Sequence, residues 1–281
     1  MAQRAIQCAV VTGGAGFVGS HLVDRLVAAG VPRIHVIDRL ASTYGRAPKE
    51  RNLAAALHSG RVHLIDADVM DPALAERLPE GTIDVLVHLA AVNGPAGTCD
   101  DPIGAHRTNV SGTVRILELT RHRGIGHVVV AGRAAEADEL RTGTASADLA
   151  REPADHWAAM ATAAERFERV HAALHRVRIT ILHMPQAFGP RERPDGAVRS
   201  WLADGNVPTT ANAFVPVSAM ADRLCAIALS EGAGCTAHVP AWEHAVPVEA
   251  LHAAIRALPR STDEGIAGWQ ADLRALWNEM R

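Results

Sequence analysis

"CAVVTGGAGFVGSHLVDRLVAAG" (residues 8–30) decides the fold. Its opening, Cys8 to Thr12, is a short, nearly continuous apolar run, the pattern of a strand buried on both faces. From Phe17 onward apolar residues recur at helical spacing, and Gly30 supplies a C-terminal cap. Gly13, Gly16 and Gly19 lie between, spaced three apart.

Each glycine has a physical use in a strand-to-helix turn that cradles a pyrophosphate. Gly13 permits the tight turn, Gly16 lets backbone approach the ligand, and Gly19 lets the helix pack on the strand. The helix start at Phe17, Val18 and Gly19 presents free N–H groups that favour an anion. The next strand, "RIHVID" (33–38), ends in Asp38, placed to accept from ribose hydroxyls. A carboxylate there repels a 2′-phosphate, which favours NAD. Arg39 beside it could accommodate that phosphate, so NADP stays open.

Working outward, apolar runs at 61–68, 83–91, 127–132 and 178–185 predict further strands. Helical patterns at 101–124 and 155–176 alternate with them. This alternation predicts an α/β fold, a Rossmann-type doubly wound parallel sheet covered on both faces. Residues 1–185 are expected to form the dinucleotide-binding domain. After residue 186 the pattern turns loop-like and then helical, so 186–281 is expected to be a small substrate-side lobe.

The composition narrows the function. The chain has 281 residues and a formal net charge of −3, without a basic run, which argues against nucleic acid and membrane surfaces. No apolar run approaches a membrane span, and residues 1–14 lack the pattern of a signal peptide, so a cytoplasmic protein is expected. Cys8, Cys99, Cys225 and Cys235 form no C-x-x-C pair and are expected as reduced thiols. His171 and His175 stand at metal-ligand spacing on one helix, but with no third ligand in view no metal is expected.

Taken together, "TGGAGFVGSHLVDRL" (12–26), "ADVMD" (67–71), "VLVHLAA" (85–91), "TNVSGT" (108–113), Glu165 and "ILHMPQAFGP" (181–190) resemble the extended short-chain dehydrogenase/reductase family. The nearest branch is the NAD-dependent nucleotide-sugar epimerases and dehydratases. The resemblance implies adenine contacts from Asp68 and Val69, cofactor contacts along Leu89, Ala90 and Ala91, and a structural Asn109. It also implies a homodimer joined through the helices at 101–124 and 155–176.

Such proteins move a proton with a Ser or Thr, a Tyr, and a Lys four residues after the Tyr. Register taken from Glu165 and Gly189–Pro190 puts Trp157 at the Tyr position and Ala161 at the Lys position. The strand end "AGR" puts Arg133 at the hydroxyl position. The chain's one tyrosine, Tyr44, and one lysine, Lys49, are five apart in an expected loop after the second strand, so Tyr-x-x-x-Lys occurs nowhere in it. His183 stands where an Arg is usual, Gln186 where an Asn is usual, and Asn212 lies where a diphosphate-binding Arg is expected.

The residues left at the expected catalytic wall are Arg133, Glu136, Asp138, His156 and Trp157. Arg133 can hold an anionic or carbonyl oxygen, His156 can transfer a proton near neutral pH, and Trp157 can stack on a ring. Asn93 and His106 are weaker candidates. The expected activity is that of an enzyme with non-standard acid–base groups, acting on a small polar or ring-bearing metabolite. Reductase, epimerase and non-redox lyase or cyclase all fit, as does a redox enzyme whose substrate or water supplies the proton. The alternative is a silent dinucleotide-binding protein serving as sensor or partner subunit.

Overall fold

The computed structural model describes residues 4–40, 45–93, 95–133, 153, 155–204, 214–231, 235–238, 245–258 and 269–280. Tyr44, Glu136, Asp138 and Asn212 lie outside the described residues. Arg133 is placed through its backbone.

Seven parallel strands form the main sheet among these residues. They are β1 (Cys8–Thr12), β2 (Arg33–Asp38), β3 (Val62–Asp66), β4 (Val85–His88), β5 (Val128–Arg133), β6 (Ile179–Met184) and β9 (Cys235–His238), in the order β3-β2-β1-β4-β5-β6-β9. β1 and β4 are buried at every position, as a sheet covered on both faces demands. Side chains alternate between the faces. Ala9 and Val11 join one core with Leu22, Leu26, Leu53 and Leu224, while Cys8 and Val10 join another with Leu74, Ile116, Leu117 and Ala172.

From β1 the chain builds outward to β2 and β3, then crosses back to place β4 on the other side of β1. This reversal opens a crevice at the strands' C-terminal ends. The helices α1 (Phe17–Ala28), α2 (Arg46–Leu57) and α7 (His156–His175) each start on that side. Between α2 and α7 lie α3 (Leu74–Arg77), α4 (Pro95–Asp100), α5 (Pro102–His106) and α6 (Gly112–Arg123). A π-turn, Arg107–Ser111, joins α5 to α6 within the helix expected at 101–124.

The expected boundary at 185/186 is crossed more than once. α8 (Ala197–Asp204), α10 (Val248–Ala257) and α11 (Trp269–Met280) do form a separate core with the small β7 (Gln186–Phe188) and β8 (Phe214–Pro216) pair. Phe188, Trp201, Phe214, Leu251 and Leu276 fill it. However, α9 (Val217–Ala228) packs through Met220 and Leu224 into the core that holds α1, and β9 extends the main sheet beside β6. No helix among the described residues is long and apolar enough to cross a membrane.

α2 departs from the sequence reading, which left Lys49 in a loop. Its inward stripe is Lys49, Asn52, Leu53 and Ala56, at helical spacing. Half of that stripe is polar, so hydrophobic periodicity hides the helix. Pro48 sits in the first turn, where its missing N–H costs nothing.

Candidate active site

The glycine turn is built for close approach. Gly13 has φ +69°, the left-handed region, and Gly13 N–H donates to Ile37 O at 2.8 Å. A Cβ on Gly19 would lie 2.3 Å from Gly13 O, so α1 rests directly on the turn. Gly16 is the N-cap of α1 and has no side chain to satisfy the first-turn N–H groups. Those of Phe17, Val18 and Gly19 are left for a ligand anion.

At the end of β2, Asp38 is 5% exposed. Its carboxylate accepts from Ala15 N at 3.1 Å, Leu40 N at 3.0 Å and Lys49 Nζ at 2.7 Å. Asn52 Nδ2 donates to Ala15 O at 3.1 Å and holds the same turn. Asp38 therefore meets a cation before it meets a ribose, which sequence reading missed. Arg39 is exposed and reaches Asp68 Oδ2 at 3.4 Å, while Asp68 Oδ1 accepts from Met70 N at 2.8 Å. Val69 is buried beneath Gly112, so of the two expected adenine contacts Asp68 is the more accessible.

On the other side of the turn, one hydrogen-bond chain fixes the segment after β4. Leu89 N–H and Ala90 N–H both donate to Thr12 Oγ1 at 3.2 Å. Thr12 must then give its own proton to His88 Nδ1, 2.6 Å away. His88 Nε2–H donates to Thr113 Oγ1 at 3.2 Å, and Thr113 donates to Asn109 O at 2.7 Å. The side chain of Asn109 completes the clamp, accepting from Val92 N at 2.7 Å and donating to Val92 O at 2.8 Å. Leu89, Ala90 and Ala91 thus emerge, half-buried to exposed, along the crevice beside Gly13.

This chain needs a neutral His88. Burial pulls the imidazole down to about 4, and burial together with Arg178 and Arg4 pulls His127 down to about 3. A group that binds its proton less well when folded contributes stability above its unfolded value, and loses it as pH falls through the folded one. Between pH 7 and pH 4, His88 alone should withdraw roughly 3 kcal/mol. Glu168 acts in the opposite sense over much of the same range: burial, then the nearby Glu165, raises it to about 8, so its contribution is full below the unfolded carboxylate value and is lost as pH rises through about 8. Chemical denaturation at pH 7 and pH 4 therefore isolates His88 as a difference, and the stability of the parent relative to His88→Gln should fall by roughly that amount between the two values.

Glu165 ties α7 to β6. Its Oε2 meets His183 Nε2 at 2.9 Å and its Oε1 accepts from Arg169 at 2.6 Å. Burial pushes Glu165 up, but His183 and Arg169 outweigh it and hold the carboxyl below its usual range. His183 lies over Gly132, where a Cβ would come within 2.3 Å of the ring. One and two turns before Glu165, about 6 and 12 Å along the axis, stand Ala161 and Trp157. Both are half-buried on the stripe that carries the buried Ala164, Glu165 and Glu168.

His156 is exposed in the first turn of α7, where Asp155 caps the helix through Ala158 N at 2.7 Å. Arg133 ends β5, in register with Met184. The structure thus brings Arg133's backbone and Trp157 to the crevice side, with His156 exposed next to Trp157 in the first turn of α7. Asn93 and His106 are both exposed.

Residues 9–205 match the model of the NAD dependent epimerase/dehydratase family. The chain belongs to this family. Among curated relatives, a UDP-glucose 4-epimerase of Mycolicibacterium smegmatis is 34% identical over 188 residues, 66% of this chain and 58% of the relative. UDP-glucuronic acid decarboxylase 1 of Arabidopsis thaliana is 40% identical over 41% of this chain and 24% of its own length. The chain thus spans less than two thirds of these relatives. Of the solved structures, UDP-glucuronic acid 4-epimerase from Bacillus cereus, bound to UDP-glucuronic acid and NAD, superposes with a TM-score of 0.80. It is 18% identical and covers 96% of this chain and 98% of its own, which shows a shared fold. The family is NAD-dependent, and the glycine turn, Asp38 and the 89–91 segment lie together at the crevice end of the sheet.

Two signals in the sequence could have pointed to the missed residues. Lys49 is the chain's one lysine and lies shortly after Asp38. Thr12 and His88 close two strands that share one register, Thr12 opposite His88.

Proposed function

We propose that this family member is an NAD-binding enzyme of the epimerase/dehydratase type that works without a tyrosine–lysine pair. The observation that carries this reading is the Thr12–His88–Thr113–Asn109 chain, which holds the 89–92 backbone ready for the cofactor. NAD, when bound, takes up or returns a hydride. Arg133 at the end of β5 holds an anionic or carbonyl oxygen of the substrate. His156 moves the proton, and Trp157 stacks against a substrate ring. Adenosine binding falls to Asp38, Asp68 and their neighbours.

The substrate is a small polar, ring-bearing metabolite. Nucleotide sugars come first for testing, because relatives act on UDP-glucose and UDP-glucuronic acid. Gln186, His183 and Asn212 depart from that pattern, and a substrate without the full diphosphate accommodates them. Turnover on UDP- and dTDP-sugars should be measured for the parent, Arg133→Ala and His156→Ala. A loss of at least about 100-fold in kcat/KM is expected for each variant. Undiminished activity in both would sink the assignment.

A silent, NAD-binding sensor is the second reading. A helix stripe whose crevice end is Trp157 and Ala161, in place of a tyrosine and a lysine, favours it. Tight NAD binding without turnover on any sugar nucleotide would select it.

We also take the protein to be a cytoplasmic homodimer. Phe167, Val170 and Leu174 form an exposed apolar stripe on α7, and Ile103 is exposed on α5. Burying that face against a second copy removes it from water. Val170→Glu with Leu174→Glu should shift the sedimentation coefficient from dimer to monomer. An unchanged dimer would place the interface elsewhere.

A further inference from the structure

We propose that Glu118, His171 and His175 form a binding site for a divalent late-transition-metal ion of the Zn²⁺ class on the seam between α6 and α7, separate from the NAD crevice. His171 and His175 are one turn apart, with ring centroids 5.3 Å from each other. Helix packing supplies the third ligand, which the sequence does not reveal, since Glu118 comes from a different helix. One ligand atom from each of the three lies within 4.8 Å of the others. Two imidazoles and one carboxylate are a familiar Zn²⁺ donor set that leaves a fourth position for water.

The surroundings orient these ligands as metal sites do. His171 Nδ1–H donates to Phe167 O at 3.2 Å, which leaves Nε2 as the ligating atom. Nε2 points at Glu118 Oε1, 2.9 Å away. A neutral imidazole lone pair and an ionised carboxylate oxygen repel at that distance, so a cation belongs between or beside them: a proton or a metal ion. Arg121 grips the other oxygen, its Nη2 2.8 Å from Glu118 Oε2, and turns Oε1 toward the histidines. The side chain of His171 is 11% exposed, while His175 is exposed. A tetrahedral site has ligand-atom separations of roughly 3.4 Å, so Glu118 Oε1 and His171 Nε2 part by about 0.5 Å while His175 closes on them.

The test uses the whole chain stripped with chelator and titrated with Zn²⁺ by calorimetry, then with Co²⁺ by visible absorption. One equivalent of Zn²⁺ and the intense visible bands of tetrahedral Co²⁺ are expected. His175→Ala and Glu118→Gln alter partly exposed side chains and should keep the fold. Each should weaken Zn²⁺ binding at least tenfold and remove the Co²⁺ bands. No uptake at 100-fold molar excess of Zn²⁺ would mean that a proton alone bridges Glu118 and His171. Binding that survives both substitutions would place the metal at other histidines or at Cys99. Either result overturns the site.

Discussion

Gly19→Ala should weaken NAD binding by at least about 100-fold and lower folding stability by roughly 3 kcal/mol. The added Cβ would lie 2.3 Å from Gly13 O and 2.8 Å from Gly14 Cα. Both are backbone atoms of the turn, so no side-chain rotation relieves the contact. Either α1 lifts away from β1, or the turn moves into the space of the pyrophosphate. The first exposes Leu22, Val23 and Leu26, which are fully buried. Overpacking of this kind typically costs 1–3 kcal/mol, and here the colliding atoms are also the ligand's cradle. Calorimetry with NAD and urea unfolding measure the two effects. Wild-type affinity would show that α1 can shift without disturbing the turn, and would remove Gly19 from the cofactor site. Gly30→Ala is the control, because a Cβ there meets nothing within 4 Å, although its φ of +81° carries a modest strain.

The nucleotide half of the fold was legible because its signals are local. β1, the glycine turn and α1 follow one another in sequence, and each is written in residues that can do little else. Asn109 and Glu165 were legible through the family resemblance, and the structure gives both clear anchoring bonds, to Val92 and His183. What stayed hidden depends on pairing across long stretches of chain. Lys49 looked like a loop cation because its helix stripe is half polar, and the polar residues are there to serve Asp38 and Ala15. β9 contributes four residues to the sheet edge, and so short a strand lacks a period long enough to stand out. Glu118 meets His171 across 53 residues, a contact made by helix packing alone.

The catalytic wall was legible only by subtraction. One tyrosine and one lysine, five apart, exclude Tyr-x-x-x-Lys whatever the alignment. The structure then gives the sole lysine an occupation that has nothing to do with proton transfer to substrate. Lys49 is buried on the opposite side of the crevice from α7, paired with the residue expected to read the ribose. On the proposed function, the cofactor site therefore has no lysine at its nicotinamide end and one beside Asp38 at its adenosine end.

That pairing carries the second large expected effect. Lys49→Met should destabilise the fold by roughly 3–5 kcal/mol, the range for removing one partner of a buried ion pair. Side-chain exposure is 9% for Lys49 and 4% for Asp38, so water does not replace the lost partner. Lys49→Met with Asp38→Asn should recover part of the loss, because no buried charge remains, while the one amide oxygen keeps only one of the two bonds that Ala15 N and Leu40 N make to separate oxygens of Asp38. The double-mutant cycle, read by urea denaturation, should give a coupling of roughly 1–3 kcal/mol. Additive effects would mean that the pair is solvated and structurally idle. Cofactor choice follows the same electrostatics. With Lys49 in place, Asp38 presents a compensated charge to a 2′-phosphate, and Arg39 stands beside it. With Lys49→Met the bare carboxylate should raise the preference for NAD over NADP at least tenfold, measured as the ratio of the two dissociation constants in one preparation. A ratio that does not move would assign discrimination to Arg39 and Asp68, at the exposed edge between β2 and β3.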